Sequence, residues 1–193
     1  MNMQVQQRKG KGSDTNLPMG PVTKIGDAAV DKVESRILLL WDDLPSWQQN
    51  NEFIRGSYRQ ASHSYRKSLR SLGYLHNESV NIYSHLIGSI LFVILGWVFW
   101  NAVKDRYPSA SWLDALTLST FFGSAILCLG LSTTYHTMSD HSKTVNDLVG
   151  KLDLLGIVCL ISGSFLSGLY YGWYCEPRLQ IGYCAMVSLN HKY

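Results

Sequence analysis

The two residues best suited to chemistry are a histidine and a carboxylate at the edges of neighbouring apolar runs. His136 lies just past one run, in LSTTYHTMSDH, and Ser132 precedes it by four positions, so on a helix the two share a face. Asp153 stands in KLDLLGIVCL, where the next run begins. An imidazole and a carboxylate suit Zn²⁺, and a hydroxyl one turn from the histidine can share its water or ligand. Each residue also has an ordinary use. A histidine at a membrane boundary sits among headgroups, and an acid in a first helical turn favours the helix dipole. Zinc takes three or four protein ligands, so His136 and Asp153 mark part of a centre and not a whole one.

Other ligand candidates are weaker. His141, Asp140 and Asp147 are near in sequence, but they fall in a loop, and their spacing from His136 matches no common zinc motif. Upstream, HNESVNIYSHLIG holds His76, Glu78, Asn81 and His85. His85 follows Asn81 by four positions inside an apolar run, which makes a packed, hydrogen-bonded histidine the default. Cys128, Cys159, Cys175 and Cys184 show no metal-finger spacing, and the first two behave as small hydrophobes, so no disulfide framework is expected. A metal or ion transporter would use intramembrane His and Asp equally well. Transporters, however, tend to place broken spans around a midplane site, whereas this pair sits at a boundary.

The elements that must position these residues follow from where the apolar residues fall. A 193-residue chain with 46% hydrophobic content looks ordinary for a soluble protein, but most of that content lies after Val80. Residues 1–36 have Gly and Pro punctuation, few aromatics and no sustained period, and are expected to be a disordered cytosolic tail. No signal peptide opens the chain, so insertion is expected to rely on an internal helix. Residues 37–77 mix Leu and Trp with acids and amides and then carry Arg55, Arg59, Arg66, Lys67 and Arg70, a composition that suits a juxtamembrane, interfacial segment.

Three runs, 80–103, 112–135 and 152–171, each approach the roughly 20 residues an α-helix needs to cross a bilayer. The fold class is therefore an all-α multi-pass membrane protein with three transmembrane helices. A fourth run, LQIGYCAMVSL, is about half the length needed to span. Residues 187–193 form an atypical end, and Val187-Ser188 is the pair that a retained intron beginning GTAAGT would encode, a hypothesis that sequencing the locus tests.

The basic residues before the first span outnumber Lys104 and Arg106 after it, which predicts a cytosolic N-terminus in the plasma membrane or endoplasmic reticulum. His136 and Asp153 then meet the cytosolic end of one hairpin. The sequon at Asn77-Glu78-Ser79 would face the cytosol and stay unused. Trp97, Trp100, Trp112, Tyr170, Tyr171 and Trp173 fall near the opposite ends of the spans, as an interface belt does. A net charge of +3, with its bases gathered at one membrane edge, excludes a nucleic-acid surface, and membrane lipids are the expected partners.

Four segments in this order resemble one family: DDLPSWQQNNEFIRGSYR, HNESVNIYSHLIG, Ser132 to His136 as SxxxH, and KLDLLGI around Asp153. Together they resemble the progestin and adiponectin receptor family, also described as haemolysin-III-related, and most closely its fungal members. The likeness covers roughly residues 44–184. It implies a seven-helix bundle of which residues 78–186 are a part, with a zinc ion near its cytosolic end. In that pattern His136 is a metal ligand, Asp153 acts on the metal-bound water or ligates through it, and Ser132 supports them. Two further histidines come from an HxxxH on a last helix, which has no counterpart here; His191 has no partner at that spacing. The activities implied are zinc-dependent lipid-amide hydrolysis of the ceramidase type, or a receptor role in lipid, sterol and zinc homeostasis with a lipid or protein ligand. Zinc lowers the pKa of bound water to about 7, which makes such hydrolysis chemically coherent. The contrasting expectation is an inactive membrane fragment with an incomplete zinc site.

Overall fold

A computed structural model describes residues 38–190, with side chains through Met186. The tail at 1–36 and residues 191–193 lie outside the described residues. The elements run β1 (Leu38–Leu39), β2 (Tyr58–Arg59), α1 (Tyr65–Arg70), α2 (Ser79–Arg106), α3 (Trp112–Met138), α4 (Lys143–Gly172) and α5 (Pro177–Asn190). Three helices, α2, α3 and α4, are long and apolar enough to cross a membrane. Their surfaces agree with that role, because Trp97 is 70% exposed and Ile161 62% exposed, an apolar display that water would penalise.

The helix limits differ from the apolar runs where polar residues extend a helix beyond the bilayer. α3 starts on a capping box: the Ser111 hydroxyl accepts from Asp114 N–H, and the Asp114 carboxylate accepts from Ser111 N–H at 2.8 Å. α4 begins at Lys143, well before the apolar run, because Ser142 caps it by accepting from Val145 N–H and Lys143 pairs with Asp147 at 2.8 Å. Asp153 therefore lies ten residues inside α4 and not in a first turn. α5 starts at Pro177 and has 14 residues, longer than its apolar run but short of a span.

Helix packing depends on small residues. A Cβ added at Gly156 would lie 3.0 Å from Cys128 Cα, and one at Gly150 would lie 3.4 Å from the Tyr135 ring. At Gly163 it would collide with the Ser124 side chain and come within 3.0 Å of Thr120 O. These contacts fix an antiparallel α3–α4 register in which Asp153 stands level with Leu131 and Ser132. Ser167 Oγ also donates across it to Thr117 O at 3.0 Å. Between α2 and α3, Gly88 admits Leu129, Gly96 admits Phe122, and Phe92 meets Phe121 edge-on.

Residues 38–77 are not a structureless connection. β1 and β2 pair antiparallel, Leu38 with Arg59 and Leu39 with Tyr58, and the intervening chain turns through short 3₁₀ segments at Trp41–Asp43 and Ser46–Gln48. Tyr58 Oη donates to Ile54 O at 3.0 Å, which closes this loop on itself. The segment docks on the α3–α4 connection through Ser62 N–H to Asp140 O and His63 N–H to His141 O. It forms a small folded cap on one end of the helices.

Candidate metal centre

His136 occupies the last turn of α3, and Glu78 immediately precedes α2. Antiparallel packing brings these two helix ends together, so His136 Nδ1 lies 2.8 Å from Glu78 Oε2. An ionised carboxylate can only accept, so Nδ1–H donates to Glu78 and Nε2 takes no part in this bond. Glu78 is further held by Asn81 Nδ2 at 3.0 Å and Asn77 Nδ2 at 2.8 Å. Burial pushes its carboxyl up, but the hydrogen bonds from His136 and Asn81 and the charge of Arg59 bring it below the usual carboxylate range.

One turn along, Ser132 Oγ lies 3.0 Å from His85 Nδ1, and the His85 and His136 rings stack with centroids 5.5 Å apart. Ser132 thus shares a face with His136 but is bonded to a histidine on α2. Two residue pairs, Glu78–His136 and Ser132–His85, make one polar cluster between α2 and α3. Asp153 is half-buried on α4 about a turn farther from the helix ends than His136. Among the described residues no hydrogen bond or ion pair joins it to His136.

The remaining polar residues near this end have structural partners. Asp140 pairs with Arg59 Nη1 at 3.3 Å, Asp147 pairs with Lys143, and His141 packs against Tyr65 with tilted rings, centroids 4.2 Å apart. Arg59 is the hub: Nη1 donates to Ser71 Oγ at 2.8 Å and Thr137 O at 2.9 Å, and Nη2 donates to His136 O at 2.6 Å and Ser139 Oγ at 2.9 Å. A cation at the carbonyl end of α3 also complements the helix dipole. Burial lowers the arginine's pKa, opposed by Asp140, Glu78 and Tyr74. Beneath the cap a polar cavity of about 50 Å³ is bounded by Gln48, Tyr58, Arg59, Glu78, Tyr135 and Asp140.

Residues 73–190, more than half of the chain, match the family described as Haemolysin-III related. The chain belongs to the haemolysin-III-related family. It is 40% identical over 152 residues to Progestin and adipoQ receptor-like protein 1 of Caenorhabditis elegans, covering 79% of this chain and 34% of that protein. To the ADIPOR-like receptor IZH2 of Saccharomyces cerevisiae it is 40% identical over 183 residues, 89% of this chain and 57% of the relative. To the Adiponectin receptor protein of Drosophila melanogaster it is 33% identical over 170 residues, 83% and 38% of the two chains. The chain therefore spans from a third to just over half of the length of these haemolysin-III-related relatives.

Zinc, the metal this family resemblance implies, is not accommodated by the described residues alone. Among them, no group of three or more His, Cys, Asp or Glu side chains converges closely enough to hold a metal ion. In this cluster His136 is the histidine backed by a carboxylate, and zinc would need at least three ligands. Glu78, named upstream as part of HNESVNIYSHLIG but given no role from the sequence, is the residue bonded to His136. The available signal was its place directly before the first span, at the same membrane level as the end of the second.

Proposed function

We propose that this stretch of a haemolysin-III-related membrane protein contributes one ligand position of a zinc site, His136 supported by Glu78, and by itself neither retains zinc nor hydrolyses lipid amides. The observation that supports this is that His136 is bonded to Glu78 in a cluster where, among the described residues, no three ligating side chains converge. Metal analysis of the purified 193-residue chain in detergent should give well under one zinc per chain. Stoichiometric zinc, or ceramide hydrolysis by this chain, would overturn the proposal.

The finer reading concerns a longer assembly that carries further ligands. There the family resemblance assigns His136 to zinc, Asp153 to the metal-bound water and Ser132 to their support, in a lipid-amide hydrolase or a receptor for lipid, sterol or zinc status. The bonds Glu78–His136 and Ser132–His85 favour a preformed ligand geometry. Ceramide hydrolysis in membranes from a longer transcript tests it: His136→Ala should remove zinc and activity together, and Asp153→Asn should lower activity while zinc is kept. Activity that survives His136→Ala would exclude His136 as a ligand. Placement of this end in the cytosol is supported by the basic residues before α2 and is checked by cysteine-accessibility labelling at position 63.

A further inference from the structure

We infer that α1 is a docking site for anionic phospholipid headgroups, read by Arg66 and Arg70, with Leu69 seated among the acyl chains. The helix is amphipathic in the sense opposite to a soluble surface helix. Its inward side is polar: Ser68 and the adjoining Ser71 are fully buried, Ser68 Oγ meets Ser62 Oγ at 2.8 Å, and Ser71 Oγ accepts from Arg59. Its outward side combines Tyr65, 58% exposed, and Leu69, 51% exposed, with the exposed Arg66, Lys67 and Arg70. In water a short helix gains nothing by presenting leucine outward and burying serines. At a bilayer edge the arrangement is favourable, because the apolar side chains enter the interface while the long basic ones reach the phosphates.

Position and charge support the same occupant. α1 is tied to the start of the first span, since Tyr83 Oη on α2 donates to Leu72 O, and Leu75 between them is 81% exposed. The chain has no Asp or Glu from Phe53 to Asn77, so the stretch carries only positive side chains. Arg59 is neutralised by buried Asp140, whereas among the described residues Arg66 and Arg70 form no ion pair. Two exposed arginines, Arg66 and Arg70, beside a membrane entry fit a phosphate-bearing lipid of net negative charge and not a zwitterionic one.

The test places the full chain in nanodiscs of phosphatidylcholine containing about one fifth phosphatidylserine and measures, by electron spin resonance, retention of spin-labelled phosphatidylserine relative to phosphatidylcholine at the protein boundary. The wild-type chain should retain the anionic label preferentially, and high salt should erase the preference. Each of Arg66→Gln and Arg70→Gln should lower the preference by up to roughly five-fold. Because both side chains point away from the cap, these variants should keep the wild-type melting temperature, and Arg66→Lys with Arg70→Lys should keep the preference. Equal retention of the two labels by the wild-type chain would overturn the inference. So would an unchanged preference in the glutamine variants, or its loss in the lysine variant.

Discussion

Arg59 fastens the cap to the helices through one side chain that is 4% exposed and spans three segments. Its pairing with Asp140 combines two buried charges, so removing one partner should cost more than removing both. Arg59→Met is expected to destabilise the protein by about 3–5 kcal/mol, because Asp140 is left buried without a cation. The double variant with Asp140→Leu should recover part of that loss, and thermal melts in detergent compare them. His76 makes a second residue-scale prediction. Its Nδ1 accepts from Glu78 N–H at 3.2 Å, so the proton lies on Nε2, and burial, then the charge of Arg59, pushes its pKa down to about 4. The unfolded chain therefore binds more protons than the folded one between pH 6.5 and 4. Stability should be fully present above that window and fall by roughly 3 kcal/mol as pH drops through it. Glu78, whose pKa is lowered below its ordinary value near 4.5, adds its loss only at the acidic end. Unfolding free energies measured across this range should flatten in His76→Asn.

The helices divide into contacts that tolerate a side chain and contacts that do not. Gly163 faces Ser124 and Thr120 across the α3–α4 seam, and Gly156 faces the Cys128 backbone, so neither has room for a branched residue. Gly168, one turn and a residue beyond Gly163, has open space where a Cβ would be. Gly163→Val is expected to cost about 1–3 kcal/mol through overpacking, while Gly168→Ala should be neutral or slightly stabilising. Denaturation by SDS titration distinguishes them. Both glycines looked alike in sequence, as small residues in an apolar run. The three spans were legible there because length and hydropathy alone set them, but the early start of α4 was not, since it depends on the Ser142 cap and the Lys143–Asp147 pair.

At the scale of the molecule, apolar side chains cover the outer faces of α2, α3 and α4, and among the described residues nothing polar encloses them. The chain should remain in the membrane pellet after alkaline carbonate extraction; recovery in the supernatant would contradict the spans. Sequence by itself determined the helical membrane architecture, the family and the chemical promise of His136, because these depend on residue type and local spacing. It also singled out Ser132, on the same face of the same helix. Only the tertiary structure decided whom these residues serve. Glu78 is 58 positions from His136 and His85 is 47 from Ser132, yet they are bonding partners because two antiparallel helices end and begin at one level. Spacing along one chain reports a shared helical face, but the register between helices is set by glycine contacts and by Arg59. That register left Asp153 a turn away from His136, and it placed a glutamate behind the imidazole that no local motif announced.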